Sequence, residues 1–287
     1  MLEIAQLLIY GLVLGSIIAL GAIGVSLIFG ILRFAHFAHG DLMTLGAYFA
    51  LAGIAGMGLP QLAAFALALI ATAAVSVGID RALYARLRRS QPIILLISSV
   101  GVALMVRSVI QMVWGPDNQI YSSGIQMPWI VGGLRIKPQW LLIVGGAAAL
   151  MVLLHAFLQH TRLGKAMRAM ADNPDLARVS GINTERVVIW TWLIAGVLAA
   201  AAGFFIGLDT RLNPIMGWKL LLPIFAAAIL GGIGRPYGAI AGALVIGIAQ
   251  EMSTLVIEPA YKPAVAFAIM IAMLVWRPTG LFGNRTG

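Results

Sequence analysis

The sequence has no cysteine, and only 10% of its residues are charged. Without cysteine the chain forms no disulfide and offers no thiolate to a metal. The scarcity of charge, together with 61% hydrophobic residues, excludes a soluble globular domain, in which about 25% of residues carry a charge. The composition therefore predicts a polytopic membrane protein, with lipid as its surroundings.

Motifs that would indicate catalysis are missing as well. The sequence shows no Ser-His-Asp set, no paired catalytic carboxylates, no zinc signature and no G-x-x-x-x-G-K-[ST] loop for nucleotide phosphates. The net charge of +9 is concentrated at the ends of apolar runs, and no basic stripe interleaved with aromatic residues suggests nucleic acid binding. We therefore expect no catalytic residues, no cofactor, no metal and no nucleic acid partner.

Long apolar runs divide the chain into candidate membrane spans. A hydrocarbon core of about 30 Å needs about 20 apolar residues per helix. The spans lie near residues 5–30, 40–57, 61–79, 92–113, 140–159, 187–208, 218–234, 238–257 and 262–277. Only Gly58, Pro60 and Gln61 separate the second span from the third, so eight spans are an alternative. The predicted fold is all-α, a membrane helix bundle formed by one domain over residues 1–287.

Basic residues predict the orientation, because cytoplasmic loops carry an excess of Lys and Arg. Arg81, Arg86, Arg88 and Arg89 form one basic cluster, and residues 161–186 contain a second. We assign both to the cytoplasmic side of the cell inner membrane, which places the amino terminus outside and the carboxyl terminus inside. The amino-terminal run has no basic region before it and is long enough to span, so we expect it to be retained rather than cleaved.

The main external loop, residues 114–139, contains MPWIVGGLRIKP. Two short β-prone runs flank Gly132 and Gly133, and such a pair suits a tight hairpin turn. The hairpin could cover the outer mouth of a pathway or contact an external partner, and a simple connector is an equal alternative.

Residues 161–186 form a polar, Arg-rich insertion between two apolar runs. Asn173 suits the N-cap of a helix, Pro174 its first position, and Gly181 a left-handed residue after its end. This pattern predicts one short helix over residues 174–180. Helices shorter than about 12 residues are marginal alone in water, so this one is expected to dock on other structure.

The predicted short helix offers an apolar contact surface. Leu176 and Val179 lie three residues apart on one face and could enter a groove on a partner protein. The candidate coupling residues of this loop are Gly164, Lys165, Arg168, Asp172, Asn173, Leu176, Ala177, Arg178 and Gly181. The alternative is a solvated loop whose basic residues only set the topology.

A second polar stretch, GILRFAHFAHGDLMTLGAY, precedes the second span. His36 and His39 are three residues apart, but no third ligand lies at a suitable spacing, so we do not expect a metal site. We interpret Gly40 as a close turn and Asp41 as the N-cap of the helix that follows. His36, His39 and Asp41 are also candidates for the lining of a transport pathway.

Arg107 and Glu251 are the clearest charges inside predicted spans. Intramembrane charges usually face the bundle interior or a polar cavity, so both are further pathway candidates. Each lies toward the outer end of its helix, however, and we favour the interpretation that the side chains snorkel to the interface.

Small residues recur through the apolar runs, for example Gly11 with Gly15 and Gly238 with Gly242. Small residues four apart allow helix backbones to approach closely, which predicts a tightly packed bundle. A faint likeness between residues 39–48 and 237–246 is compatible with an internal repeat, but it consists mainly of small and apolar residues.

Three separated stretches resemble one family. LGKAMRAMADNPDLARVSGIN in the cytoplasmic loop, the stretch before the second span, and GGIGRPYGAIAGALVIG resemble LivH-like permease subunits of ABC importers of the branched-chain amino acid type. The family usually has asparagine in the place of His36. The resemblance implies a permease subunit for branched-chain amino acids or similar small polar solutes. It also implies ABC ATPase subunits that bind loop 161–186 and use the ATP, a second permease subunit, and an external solute-binding protein.

The alternative from another class is an ion-coupled secondary transporter or channel. Such a protein would use intramembrane acids or broken helices, of which the sequence shows few. No residue distinguishes aliphatic amino acids from urea or short amides as the solute.

Overall fold

The computed structural model describes residues 1–88, 90–121, 127–277 and 279–282, which are predominantly helical. The helices are α1 (Leu2–Leu32), α2 (His39–Leu51), α3 (Gln61–Ile79), α4 (Ala85–Leu87), α5 (Pro92–Trp114), α6 (Pro138–His160), α7 (Arg162–Asp172), α8 (Pro174–Val179), α9 (Thr184–Asp209), α10 (Met216–Gly231), α11 (Pro236–Met252) and α12 (Lys262–Trp276). A π-helical turn, Ala52–Gly56, continues α2, and another, Asp80–Tyr84, joins α3 to α4. Two short strands are β1 (Trp129–Val131) and β2 (Leu134–Ile136).

Within the described residues, seven helical segments are long and apolar enough to cross a membrane. They are Leu2–Leu32, Gln61–Leu87, Pro92–Trp114, Pro138–His160, Thr184–Asp209, Pro236–Leu255 and Pro259–Trp276. The predicted spans 40–57 and 218–234 fall instead on α2, with 13 residues before its π-helical turn, and on α10, with 16. At 1.5 Å per residue α2 measures about 20 Å, or about 27 Å with its π-helical turn, and α10 measures about 24 Å, less than a hydrocarbon core of about 30 Å. The all-α multi-pass bundle is confirmed, with two of its helices shorter than expected.

Helices α1 and α9 form the centre of the bundle. Both are apolar on all sides, which is the pattern of a helix surrounded by protein, and most of their residues are buried. A Cβ added at Gly11 would lie 2.7 Å from Ile248 Cα, and one at Gly15 would lie 3.1 Å from Leu244 Cα. The backbones of α1 and α11 are therefore in close contact, which confirms the packing predicted from the small residues.

Helix α2 begins inside the bundle rather than at the level where α1 ends. The His39 ring occupies the space beside Gly24, where an added Cβ would lie 2.5 Å from its Cε1. Gly24 precedes the end of α1 at Leu32 by eight residues, which is about 12 Å of helix. The segment 33–38 therefore re-enters the bundle before α2 starts.

The prediction for the start of α2 was wrong in two respects. Gly40 lies inside the first helical turn rather than in a preceding turn, and Asp41 is not an N-cap. The N-cap position belongs to Ala38, which offers no side-chain acceptor, and the Asp41 carboxylate is directed to another helix.

Helix α10 also begins inside the bundle. After α9 ends, the chain returns inward, because Leu212 is fully buried and its side chain packs against Gly207. Gly217 then lies against Gly40 at the start of α2, and the Phe225 and Phe37 rings are 5.1 Å apart further along α10. Helices α2 and α10 are therefore antiparallel, and their first turns meet.

The contacts between helices reveal an internal repeat. Helix α3 packs on α9 as α11 packs on α1, and α2 packs on α9 as α10 packs on α1. The contacts α2–α3 and α10–α11 correspond in the same way, as do α2–α5 and α10–α12. In these contacts α1 corresponds to α9, α2 to α10, α3 to α11 and α5 to α12. The bundle thus contains two inverted copies of a four-helix unit. The faint sequence likeness aligned α2 with α11, whereas the structure pairs α2 with α10, so that alignment was wrong.

The hairpin predicted around Gly132 and Gly133 is confirmed. Strand β1 pairs antiparallel with β2, and Gly132 and Gly133 both have positive φ, at 59° and 85°. Gln6 holds the hairpin to α1, because its Nε2 donates to the Arg135 carbonyl at 3.0 Å and its Oε1 accepts from the Arg135 amide at 2.8 Å. Residues 122–126 of the predicted loop 114–139 lie outside the described residues.

Candidate functional site

Loop 161–186 contains two helices where the sequence pattern predicted one. Helix α7 begins at a capping hydrogen bond, in which Thr161 Oγ1 accepts from the Gly164 amide at 2.9 Å. Any Cβ at Gly164 would overlap the backbone of Phe157 and Leu158, so glycine is needed at this sharp turn. The missed signal was the buried pair Met167 and Met170, whose spacing is that of one helix face.

Helix α8 has the caps that the sequence predicted. Asn173 Oδ1 accepts from the amides of Asp175 at 3.1 Å and Leu176 at 3.0 Å. At the other end Gly181 is left-handed, with φ of 81°, and the amide of Ile182 donates to the Ala177 carbonyl. The helix ends at Val179, with Ser180 as its C-cap.

One face of α8 packs inward, and the other presents apolar side chains outward. Ala177 is 3% exposed, whereas Leu176 is 64% and Val179 is 86% exposed. Among the other candidates, Lys165, Asp172 and Arg178 are exposed. Arg168 is also exposed, and its Nη1 donates to Gln159 Oε1 at 2.7 Å. The loop therefore presents an apolar pair with charged residues around it.

Arg33 connects this loop with the segment that re-enters the bundle. Its backbone closes α1 in the left-handed conformation, with φ of 58°, which is uncommon for a residue other than glycine. Its Nη2 donates to the Ala171 carbonyl at 2.5 Å, near the end of α7. This hydrogen bond joins the end of α7 to the chain just before α2.

His36 and His39 lie in packed protein near the start of α2. His36 Nε2 is 3.1 Å from Tyr84 Oη, and its ring contacts that of Trp192 edge-on at 4.9 Å. The rings of the two histidines are 6.2 Å apart. Both side chains are fully or almost fully buried, so they fix the position of the re-entrant segment.

Asp41 and Arg107 form an ion pair between α2 and α5. Arg107 Nε donates to Asp41 Oδ1 at 2.9 Å, and Nη2 donates to Oδ2 at 3.1 Å. The Asp41 side chain is completely buried, and that of Arg107 is 16% exposed. The Trp218 ring of α10 lies over the guanidinium, with its centroid 4.8 Å from Cζ. Snorkelling was therefore the wrong explanation for Arg107, because the side chain turns into the bundle toward a charged partner.

Glu251 is also paired rather than snorkelling. Its Oε2 accepts from Lys262 Nζ at 2.7 Å, which joins the end of α11 to the start of α12, and its side chain is 11% exposed. The neighbouring Gln250 donates from Nε2 to the Lys262 carbonyl at 3.1 Å. The interpretation from sequence failed here because Lys262 lies beyond an intervening turn.

A cavity of about 1150 Å³ opens between the hairpin and the helix ends near α10. It is lined by Tyr10 and Val13 of α1 and by Trp218 and Pro223 of α10. Its charged lining residues are Arg135, Lys137, Asp209, Lys219, Glu251 and Lys262. Both signs of charge are present beside apolar surface, which suits a small zwitterion or another polar solute with an apolar part.

Comparisons with known proteins identify relatives along nearly the whole chain. The profile of the family described as "Branched-chain amino acid transport system / permease component" matches residues 7–274. The high-affinity branched-chain amino acid transport system permease protein LivH of Salmonella typhimurium is 33% identical over 293 residues, covering 97% of this chain and 95% of that protein. The corresponding protein BraD of Pseudomonas aeruginosa is 32% identical with the same coverage.

A solved structure shares the fold. A chain of PsaBC from Streptococcus pneumoniae, in complex with a Fab, aligns with a TM-score of 0.53 at 15% identity. The alignment covers 97% of this chain and 93% of that chain. The family match over most of the sequence, together with relatives above 30% identity across nearly all of it, shows that this chain belongs to the branched-chain amino acid transport system permease component family.

Proposed function

We propose that this protein is the membrane permease subunit of an ABC importer for branched-chain amino acids or similar small polar solutes. It would form the pathway across the inner membrane with a second permease subunit, and the ATPases that drive transport would be separate proteins. The protein itself would have no enzymatic activity. Its amino terminus would lie outside and its carboxyl terminus in the cytoplasm.

The observation that carries this proposal is the surface of α8. Asn173 and Gly181 cap the helix, and Ala177 packs inward, so its position is fixed. Leu176 and Val179 nevertheless remain exposed on the loop that we assign to the cytoplasm. A fixed helix with an exposed apolar pair suits insertion into a groove of a partner, and an ABC permease requires such a contact with its ATPase. The candidate coupling residues of loop 161–186 would form this surface.

The hairpin on the other side of the bundle has a surface that suits an external partner protein. The three residues of β1, Trp129, Ile130 and Val131, are 56%, 74% and 59% exposed. Exposed apolar side chains on a strand indicate an interaction surface when they are contiguous. We assign this hairpin to the solute-binding protein, which would deliver solute to the adjoining cavity.

The ion-coupled alternative is disfavoured by the pairing of the intramembrane acids. Asp41 is bound by Arg107 and Glu251 by Lys262, so each carboxylate already has a fixed cation. A coupling ion would have to displace these partners.

Uptake by the reconstituted complex tests the proposal. The protein is placed in liposomes with its ATPases, its second permease subunit and its binding protein, and radiolabelled leucine uptake is followed. We expect uptake that requires ATP and continues when ionophores remove the proton and sodium gradients. Uptake that needs an ion gradient and continues without the ATPases would establish the secondary transporter instead.

A further inference from the structure

Arg107 places a permanent charge well inside a membrane helix. It follows Pro92 by fifteen residues and precedes Trp114 by seven, which corresponds to about 22 and 10 Å along α5. A guanidinium at this depth is costly, and such residues usually line a solute pathway or pair with another charge. Pairing with Asp41 neutralises the charge but uses only some of the N–H donors of the guanidinium.

The guanidinium retains an edge for a second anion. Arginine has five N–H donors in a planar fork, and two of them bind Asp41 through Nε and Nη2. Across the described residues Arg107 donates no other hydrogen bond, so the protons of Nη1 and one proton of Nη2 are free. These donors have the geometry that binds a carboxylate through two parallel hydrogen bonds.

Trp218 adjoins both the Arg107 guanidinium and the cavity. Its ring contacts the guanidinium, and the same residue lines the cavity of about 1150 Å³. Trp218 as a whole residue is 37% exposed, and the side chain of Arg107 is 16% exposed. The Trp218 ring also offers an apolar surface to an aliphatic side chain.

The surrounding backbone also favours an anion. The first turns of α2 and α10 meet here, and the amino-terminal end of a helix carries a partial positive charge. The meeting point is the interface between the two inverted units, where transporters built from inverted repeats place their solutes. The amide of Gly217 in this turn already donates to Thr44 Oγ1 at 3.1 Å, so the side chain of Arg107 supplies the recognition.

We infer that Arg107 binds the carboxylate of an α-amino acid inside the membrane, and that Trp218 covers this site. The inference rests on the proposed function and narrows it, because urea and neutral amides have no carboxylate to bind the free edge. Asp41 is a positioning residue, since it holds the guanidinium in place through the two other donors.

The test of this site is the number of leucine molecules transported per ATP hydrolysed, measured in the reconstituted complex. Arg107→Lys keeps the charge beside Asp41 but removes the planar fork. The double variant Arg107→Gln with Asp41→Asn leaves neither charge unpaired. We expect Arg107→Lys to retain ATP hydrolysis stimulated by the binding protein. The double variant should retain it as well when it assembles. Leucine moved per ATP should fall about tenfold or more in each, since each variant loses the charge-assisted hydrogen bonds from the planar guanidinium to the carboxylate.

Arg81→Gln provides the matched control, because Arg81 is an exposed arginine in the π-helical turn after α3. This variant should transport as much leucine per ATP hydrolysed as the wild type does. A wild-type ratio in Arg107→Lys or in the double variant would overturn the assignment and leave the ion pair as a purely structural contact. Failure of the proposed function would be seen separately, because the wild-type complex would then move no leucine with ATP.

Discussion

Gly40 and Gly217 pack backbone against backbone at the point where α2 and α10 begin. A Cβ at Gly40 would lie 2.5 Å from the Gly217 carbonyl oxygen, and a Cβ at Gly217 would overlap the Gly40 carbonyl. The contact is reciprocal, as expected for equivalent positions of two inverted units. It holds two short helices together inside the bundle and brings Asp41 close to Trp218, since each follows one of these glycines in the chain.

Gly217→Ala is expected to destabilise the protein by about 1–3 kcal/mol, because the methyl group must displace backbone rather than a flexible side chain. The midpoint of thermal unfolding in detergent should fall. Gly145→Ala is the matched control, since it also lies in a membrane helix but has no atom within 4 Å of an added Cβ. An equal midpoint for Gly217→Ala and wild type would show that the two helices are not in close contact.

Single cysteines test the orientation without background labelling, because the chain has none of its own. Ser180→Cys, beside the exposed end of α8, should react with an impermeant thiol reagent only in inverted vesicles. Val256→Cys, at a residue 89% exposed between α11 and α12, should react in intact cells. Labelling in the reverse pattern would mean that the assigned topology is inverted.

Gly181→Val should impair the function of α8 without affecting the membrane bundle. A β-branched residue is strained at a φ of 81°, so the turn that closes the helix should be distorted. We expect less ATPase bound to the purified permease. Gly181→Asn serves as the control, because asparagine adopts the left-handed conformation more easily, and it should bind more ATPase than the valine variant. Equal binding by both variants and wild type would show that the cap is unimportant.

The Glu251–Lys262 pair should contribute to stability. Glu251→Gln leaves a partly buried ammonium without its carboxylate, and we expect a loss of about 1 kcal/mol in thermal unfolding experiments. Adding Lys262→Gln should recover part of the loss, since the unpaired charge is then removed. Additive effects of the two substitutions would indicate that the pair does not form.

Features set by nearby residues could be predicted from the sequence. The caps of α8 depend on Asn173 and Gly181, a few positions from the helix they close, and the hairpin depends on Gly132 and Gly133. The break between α2 and α3 was correctly placed at Gly58 and Pro60, because turn residues act locally. The same reasoning missed α7, whose buried face consists of methionines separated by basic and small residues.

Features that depend on distant partners could not be predicted. Arg107 lies 66 positions from Asp41, and no local pattern shows that one helix delivers a carboxylate to the other. Hydropathy also does not show at what depth in the membrane a helix begins, so α2 and α10 were counted as full spans. Trp218 and Arg33 were missed for the same reason, because their roles follow from contacts between elements.

Co-purification of the ATPase with Leu176→Glu tests the central claim most directly. Leu176 is 64% exposed on α8, and its burial in a partner groove would contribute about 2 kcal/mol. The glutamate removes that contact and forces a charge into the groove. Val256→Glu, which changes an exposed apolar residue on the opposite side, controls for the added charge. We predict that Leu176→Glu assembles in the membrane but loses the ATPase and ATP-dependent uptake together, while Val256→Glu keeps the ATPase. Wild-type co-purification and uptake with Leu176→Glu would contradict the account and leave the loop as a solvated connector.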